Sequence, residues 1–216
     1  GEHMSAYSFW KKIAYGFARL FYRVEFEGQE NEPQGPYLLC ANHLSFSDII
    51  TSGIGVRQQL FFMAKKELIA IPLLGAFFRS LGAFPVNRGA ADLSSLRHAI
   101  SLLKDGKPVA IFPQGTRRPG VEPSLTPTHH GAAMLCYRAQ VPILPVYIDT
   151  KGFAPRIFRK IRVVYGAPIS PQELGLAENT EHEHGDYEAA TKLLFARICS
   201  LPRKYSPPAP QKGNEN

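Results

Sequence analysis

The pair formed by His43 and Asp48 is the part of this sequence with the clearest capacity for chemistry. The two residues stand five positions apart in the stretch NHLSFSD, residues 42–48. On a continuous helix their side chains would point about 140° apart, whereas a loop at His43 that leads into a helix beginning near Asp48 would bring them together. The carboxylate would then fix the imidazole tautomer and leave the other ring nitrogen free to take a proton from an alcohol. A structural histidine beside an aspartate is the alternative.

A second polar cluster, FPVNRG at residues 84–89, includes the end of a predicted strand. An arginine in a glycine-flanked loop can bind a phosphate through two parallel hydrogen bonds, which a lysine cannot reproduce. Arg88 is therefore a candidate phosphate contact, and an exposed arginine without a special role is the alternative.

The third cluster is FPQGTRR, residues 112–118. Gly115 allows backbone conformations that other residues avoid, and the side chains of Gln114 and Thr116 can hydrogen-bond to hydroxyl groups. Arg117 can pair with a phosphate. The cluster alone is also compatible with a basic surface turn. The succession of all three clusters in this order favours a functional site.

Two further sets of polar residues are weaker candidates. Lys65 and Lys66 follow another predicted strand and are possible phosphate contacts, with a solvated basic turn as the alternative. The histidines at 129–130 and 182–184 have no further ligands at the spacing of a metal site. We therefore expect surface polar residues there and no metal.

Strands that alternate with helices must position these clusters. Apolar runs and turn residues predict strands at 24–26, 37–43, 60–64, 84–86, 108–112, 143–148 and 162–165. Helical periodicity predicts helices at 7–22, 49–54, 72–81, 91–104, 131–139 and 187–201, and a helical turn at 65–70. The pattern indicates an α/β fold with a mainly parallel or mixed central sheet flanked by helices. The active site of such a fold lies at the carboxyl ends of the strands.

The N-terminal helix is amphipathic and heavily aromatic on its apolar side. Its other side carries Lys11, Lys12 and Arg19, a combination typical of a helix that lies in a membrane interface. We therefore predict a membrane-interface helix at residues 5–22. The alternative is a helix packed on the core of the domain.

A length of 216 residues fits a single domain, which we expect at 23–204. Residues 1–4, GEHM, resemble the remnant of a purification tag, and the polar, proline-rich residues 205–216 predict a disordered tail. No signal peptide is expected, because no apolar run is followed by a small-residue cleavage site. The longest apolar stretch, residues 68–78, is interrupted by a proline and a glycine and is shorter than the about 20 residues of a spanning helix. We expect no transmembrane helix.

The chain carries 25 Lys and Arg against 18 Asp and Glu, a net charge of +7. This excess favours an anionic partner, either nucleic acid, an anionic membrane surface or a phosphorylated small molecule. Nucleic acid is not expected, because the basic residues are scattered and no recognised binding motif accompanies them. Cys40, Cys136 and Cys199 lie far apart among apolar neighbours, which predicts reduced core thiols and a cytosolic environment.

Four blocks together resemble the glycerolipid acyltransferase family that includes the 1-acylglycerol-3-phosphate (lysophosphatidic acid) acyltransferases. The family pattern N-H-x-x-x-x-D matches residues 42–48, and the family's arginine-containing loop resembles VNR at 86–88. Its F-P-E-G-T-R-S block resembles residues 112–118, and its V-P-[IV]-x-P-V block matches residues 141–146. Because the blocks follow the family's order, the sequence is identified as a member.

The resemblance implies transfer of a fatty-acyl group from acyl-CoA or acyl-acyl-carrier protein to the free hydroxyl of a lysophospholipid. The implied acceptor is 1-acylglycerol-3-phosphate, which gives phosphatidic acid, with His43 as general base oriented by Asp48. With Lys65 added, the expected substrate-binding residues are Asn42, Lys65, Arg88, Gln114, Gly115, Thr116 and Arg117. No cofactor or metal is implied. We expect a peripheral protein on the cytoplasmic side of the membrane.

Two positions depart from the family pattern: Gln114 stands where Glu is usual, and Arg118 where Ser is usual. Glutamine keeps an acceptor oxygen but lacks the negative charge, so it can orient a hydroxyl while tolerating a different head group. Three alternatives therefore remain open. They are another lyso-lipid or small acceptor, a thioesterase or esterase in which His43 and Asp48 activate water, and a non-catalytic lipid- or carrier-binding module.

Overall fold

The computed structural model describes residues 6–86, 93–178 and 180–207. This part of the chain contains seven strands, β1 (Val24–Glu27), β2 (Leu38–Ala41), β3 (Phe61–Lys65), β4 (Ala83–Val86), β5 (Val109–Ile111), β6 (Ile143–Thr150) and β7 (Ile161–Tyr165). It also contains seven α-helices, α1 (Ala6–Tyr22), α2 (Asp48–Ile54), α3 (Lys66–Ile69), α4 (Leu74–Ser80), α5 (Leu93–Lys104), α6 (Gly131–Ala139) and α7 (His184–Cys199).

All seven strands belong to one sheet in the order β1-β7-β6-β2-β5-β3-β4. Neighbouring strands are parallel except β6 and β7, which are antiparallel. The mixed α/β architecture predicted from the sequence is confirmed. Since β2, β5 and β3 are parallel neighbours, the loops that follow them leave the sheet at the same edge. The His43, Arg117 and Lys65 regions follow these three strands.

Helices cover both faces of the sheet, because successive side chains of a strand point to opposite sides. In β2, Leu38 and Cys40 pack with α5, α6 and α7, whereas Leu39 and Ala41 pack with the layer that contains α3 and α4. β2 and β6 are buried along their whole length. This burial explains why both read as continuous apolar runs.

The three cysteines are free thiols buried in the layer between the sheet and α5 to α7, as predicted. Burial raises the pKa of both Cys136 and Cys199 to about 12. These two thiols therefore stay protonated near neutral pH and act as small core side chains.

The N-terminal helix α1 packs on the domain along one side and is exposed along the other. Its small residues Ala14 and Ala18 are buried and form a cluster with Ile54 of α2. Its large apolar residues Phe9, Ile13, Phe17 and Leu20 are exposed along one side. The helix thus packs on the domain through alanines while an aromatic stripe remains accessible. No helix in the described residues is long and apolar enough to cross a membrane.

Several element ends differ from the predicted ones by one to three residues, and two differences between sequence and structure have a clear physical cause. Helix α7 begins at His184, three residues before the predicted start, because Glu183 and Asp186 form a capping box. At the other end of the chain, the backbone N–H groups of Lys204, Tyr205 and Ser206 donate to the buried Asp149 carboxylate at 2.6, 2.9 and 2.7 Å. Residues 205 and 206, expected in the tail, are therefore part of the folded domain, because a buried carboxylate requires such donors. Residues 208–216 of the expected tail lie outside the described residues.

Candidate active site

His43 and Asp48 are in direct contact. Strand β2 ends at Ala41 and helix α2 begins at Asp48, so the intervening loop folds the two side chains together. His43 Nδ1 lies 2.9 Å from Asp48 Oδ2. Asp48 is fully buried, whereas 12% of the His43 side chain is exposed. The loop-then-helix arrangement predicted from the spacing is present.

The Asp48 carboxylate is fixed by donors from its own loop. Oδ2 accepts the backbone N–H groups of Leu44 and Ser45 at 2.6 and 2.7 Å, and Oδ1 accepts the Ser45 hydroxyl at 2.9 Å. A buried carboxylate is tolerated only with such partners. The carboxylate favours a proton on His43 Nδ1. Nε2 makes no hydrogen bond to any residue in the described ranges, so it is available to a substrate.

The loop after β5 holds the other side of His43. The His43 N–H donates to Gln114 Oε1 at 2.6 Å, and the Arg118 N–H donates to the His43 carbonyl at 2.8 Å. The imidazole stacks on the Phe112 ring with 3.9 Å between ring centroids. Because Arg118 makes this hydrogen bond through its backbone, the bond does not depend on whether arginine or serine stands at this position.

Asn42 and Gln114 do not lie where the sequence prediction placed them. Both side chains are completely buried. Asn42 pairs with the backbone of Ile148 in β6, accepting its N–H at 2.7 Å and donating to its carbonyl at 3.1 Å. The Gln114 amide donates to Thr126 Oγ1 at 2.7 Å while its oxygen serves His43. With their polar atoms committed inside the protein, these residues position the His43 loop and are not available to an acceptor.

The His43 ring lines a cavity of about 460 Å³ at the carboxyl edge of the sheet. This volume falls within the range of about 300–1,000 Å³ that is usual for small-molecule sites. Its walls are largely aliphatic and aromatic, with Phe46, Ile49, Phe62, Met63, Leu68, Phe78, Ile111 and Phe112 among them. The same cavity therefore offers a largely apolar surface beside a free imidazole nitrogen.

Two cations, Lys65 and Arg117, line the same cavity and are exposed. Neither makes a hydrogen bond or an ion pair with its side chain to any residue that the structure describes. Several other arginines have carboxylate partners, as in the pairs Arg57–Glu32, Arg162–Glu27 and Arg203–Glu122. The cations beside His43 thus keep their hydrogen-bonding capacity for a ligand.

The remaining predicted site residues divide into three cases. Gly115 lines the cavity in a left-handed conformation, with φ of +65°, that favours glycine. Thr116 is half-buried and is not among the residues that line the cavity. Arg88 lies outside the described residues, and its assignment stays a prediction from the sequence.

His129 is exposed, as the sequence predicted, and it also lines the cavity. Its backbone N–H donates to the Pro113 carbonyl at 2.7 Å, and a Cβ added at Gly115 would lie 2.7 Å from its Cδ2 atom. The absence of a side chain at Gly115 therefore makes room for this ring. The place of His129 two residues before α6, which starts at Gly131, is a signal in the sequence that could have indicated this role. In the described ranges, no group of three or more His, Cys, Asp or Glu residues is arranged to hold a metal ion.

A family model described as acyltransferase matches residues 23–149, more than half of the chain. This protein belongs to the acyltransferase family. The match includes the His43 loop, the loop after β5, and the two cations that line the cavity, Lys65 and Arg117. The resemblance inferred from the four sequence blocks is confirmed, and the protein is an acyltransferase enzyme acting on glycerolipids.

Relatives of this acyltransferase carry names that specify an acceptor. It is 30% identical over 185 residues to the 1-acyl-sn-glycerol-3-phosphate acyltransferase of Bacillus subtilis (strain 168), covering 84% of this chain and 89% of the relative. Identity to the enzyme of that name from Streptococcus pneumoniae is 29%, covering 76% and 69%. The lyso-ornithine lipid O-acyltransferase of Pseudomonas aeruginosa is 34% identical over 134 residues, covering 61% and 49%.

A solved structure has the same fold as this acyltransferase. The crystal structure of the 1-acyl-sn-glycerophosphate acyltransferase PlsC from Thermotoga maritima superposes with a TM-score of 0.67. The superposed region covers 90% of this chain and 79% of the Thermotoga chain, and the sequence identity is 25%. The agreement over most of both chains extends beyond the stretch matched by the family model.

Proposed function

We propose that this acyltransferase moves a fatty-acyl group from a thioester, acyl-CoA or acyl-acyl-carrier protein, to the free hydroxyl of 1-acylglycerol-3-phosphate. The observation that carries the proposal is a single cavity that joins a free imidazole nitrogen, a largely apolar wall and two cations that form no hydrogen bond or ion pair with the described residues. The names of the Bacillus and Streptococcus relatives support this acceptor.

His43 acts as a general base in the proposed reaction. Its Nε2 takes the proton of the acceptor hydroxyl while the oxygen attacks the thioester carbonyl carbon. The tetrahedral intermediate then expels the thiolate, the C–S bond breaks, and the imidazolium returns the proton to the leaving sulfur. Asp48 contributes by holding the ring and by stabilising the transient positive charge on it. Proton transfer of this kind is typically worth about 10²–10⁴ in rate.

The two chemical regions of the cavity match the two regions of the acceptor. Lys65 and Arg117 bind its phosphate, with Arg88 as a third cation on the basis of the sequence and His129 as a neighbouring donor. The apolar wall accommodates acyl chains, and Phe46 and Phe78 meet there edge to face at 5.4 Å. Gln114 takes no direct part in acceptor binding.

The acyl end of the cavity adjoins the helix that we propose as the membrane contact. Phe78 lines the cavity, its neighbour Phe77 meets Trp10 of α1 at 5.4 Å, and the outer side of α1 carries the exposed apolar stripe. Leu73, 88% exposed, extends this surface at the start of α4. A lipid could then pass from the bilayer to the cavity without its chains crossing open water, so the enzyme works as a peripheral membrane protein.

The test is acyl transfer by purified protein, with products identified by mass spectrometry. A panel of lysophospholipids is combined with acyl-CoA and acyl-acyl-carrier protein, and each donor is also incubated without acceptor. We expect phosphatidic acid from 1-acylglycerol-3-phosphate, and donor consumption that depends on the acceptor. The preferred donor is read from the same panel.

Each alternative has its own result in this panel. Donor hydrolysis at an equal rate without acceptor would establish a thioesterase and refute acyl transfer. Preference for lyso-ornithine lipid over the phosphorylated acceptor would refute the proposed acceptor. This lipid belongs in the panel because the Pseudomonas relative is named for it. Thermal stabilisation by ligands without donor consumption would indicate a binding module.

A further inference from the structure

The loop at residues 156–160, RIFRK, lies beside the exposed side of α1 and has no role in the proposed function. We call it the apolar-basic loop. Ile157 and Phe158 are 57% and 65% exposed, and the basic residues on either side of them are exposed as well. Large apolar side chains in a loop contribute nothing to the core when they point to solvent, so their placement here calls for a partner.

The loop is joined to helix α1. The backbone N–H of Phe158 donates to the Phe21 carbonyl at the end of α1. The Phe158 and Phe21 rings lie 6.0 Å apart, and Phe21 in turn lies 4.3 Å from Phe17 in the exposed stripe. A continuous row of aromatic rings therefore runs from the helix into the loop.

The backbone of Phe158 is unusual for a large side chain. Its φ is +64°, a left-handed conformation that bulky residues seldom adopt. Leu73, at the other apolar extension of the α1 surface, has φ of +61°. Such conformations persist only where surrounding contacts hold them, and they are typical of sites with a function. Here the hydrogen bond to Phe21 holds the strained residue beside the helix.

The charges of the loop identify the chemistry of its partner. Arg156 and Arg159 make no ion pair with any residue in the described part of the chain, and neither does Arg23, which follows α1. The Lys160 ammonium, by contrast, forms an ion pair with the Glu25 carboxylate at 3.7 Å. Exposed aromatic and aliphatic residues between unpaired arginines fit an interface of acyl chains and anionic head groups.

We infer that the apolar-basic loop is a second membrane contact, which inserts Ile157 and Phe158 beside α1 and binds anionic lipid through Arg156 and Arg159. The inference rests on the membrane contact proposed for α1. It strengthens the preference for anionic lipid, because Arg156 and Arg159 add to the exposed basic residues of α1, Lys12 and Arg19. With both ends of the α1 surface extended, the protein would lie with the helix axis along the bilayer plane.

The test is flotation of the full-length protein with vesicles of phosphatidylcholine, with and without phosphatidylglycerol. The double variant Ile157→Ser/Phe158→Ser should lower partitioning to both vesicles about tenfold, because two apolar side chains no longer leave water. Arg156→Gln and Arg159→Gln should each lower binding to the anionic vesicles about fivefold, and should reduce its salt dependence. Melting temperatures should not change, since all four side chains are exposed.

Matched controls come from the opposite side of the sheet. Leu193 in α7 is 42% exposed and Arg138 in α6 is exposed, and both helices pack on the other face from α1. Leu193→Ser and Arg138→Gln should leave partitioning unchanged. Equal effects of control and loop variants would overturn the inference, and so would wild-type partitioning of the loop variants.

Turnover of a short-chain, monomeric acceptor separates this inference from the proposed function. Loop variants should acylate it at the wild-type rate. Loss of that activity would place the loop in catalysis and overturn the inference. A raised KM for acyl-acyl-carrier protein with unchanged flotation would assign the loop to the carrier and overturn it equally. If instead wild-type protein floats but transfers no acyl group to any acceptor, the proposed function fails while the membrane contact stands.

Discussion

The His43 loop and the cationic rim of the same cavity are held in opposite ways. Asp48 accepts from His43, from two backbone N–H groups and from a hydroxyl, and the His43 backbone is bonded at both its N–H and its carbonyl. Lys65 and Arg117, by contrast, are exposed and form no hydrogen bond or ion pair with described residues. The His43 loop is therefore held by the protein itself, whereas Lys65 and Arg117 keep their donors free for the phosphate that we propose as their partner.

The difference follows from what each part must do. A general base has to meet a hydroxyl at hydrogen-bonding distance, so freedom of its ring would lower the rate. A phosphate-binding cation that already had a carboxylate partner would lose that partner on binding and gain less. Changes at His43 itself should therefore affect turnover, changes at Asp48, which holds the loop, should affect turnover and stability, and changes at Lys65 or Arg117 should affect acceptor binding alone.

The largest effect is expected for His43→Ala. Without the base, turnover should fall by about 10²–10⁴-fold, measured as phosphatidic acid formed at saturating substrates. The Asp48 carboxylate keeps its three other donors, so circular dichroism and the melting curve should remain close to those of the wild type. A variant that retains substantial turnover would remove His43 from the mechanism.

Asp48→Asn should affect both turnover and stability. An amide nitrogen cannot accept, so at least one buried donor, from Leu44, Ser45 or His43, loses its partner. We expect turnover to fall by roughly 10²-fold or more, and the free energy of unfolding to fall by about 1–3 kcal/mol. Urea denaturation of Asp48→Asn and of His43→Ala measures this difference. Equal stability of the two variants would contradict the conclusion that Asp48 holds the His43 loop in place.

Arg117→Ala should raise the KM for 1-acylglycerol-3-phosphate about tenfold, since a charge-assisted hydrogen bond contributes about 1.5–3 kcal/mol. Its kcat and melting temperature should stay near the wild-type values. Arg117→Lys should recover only part of the loss, because lysine lacks the planar fork. Lys65→Ala and Arg88→Ala are expected to act in the same direction. An unchanged KM in all three alanine variants would assign phosphate binding to other groups.

The smallest effect is expected for Gln114→Glu, the residue usual in the family. A carboxylate oxygen can still accept the His43 N–H, and the Thr126 hydroxyl, which donates to the Pro123 carbonyl at 2.6 Å, can turn to donate to the other oxygen. Turnover and acceptor preference should change only a few-fold, measured on the same lysophospholipid panel. A strong change in head-group preference would return this residue to the acceptor site.

Most of the fold could be predicted from the sequence because its signals are local. The apolar runs of β2 and β6 and the periodicity of α5 and α6 correspond to elements that the structure contains. The early start of α7 was missed because it depends on two acidic side chains, Glu183 and Asp186, rather than on the apolar pattern. Residues 205–206 were assigned to the tail because their partner, Asp149, is more than 50 residues away.

For the candidate site, the sequence by itself determined the contact between His43 and Asp48. Five residues, one loop and a helix start leave few ways to place these side chains, so residue type and spacing were sufficient. Only the tertiary structure decided the roles of Asn42 and Gln114, because a buried amide serves a backbone group as well as it serves a ligand. It also decided which apolar residues face the cavity, since that depends on β2, β5 and β3 being neighbours, a pairing between segments distant in the chain.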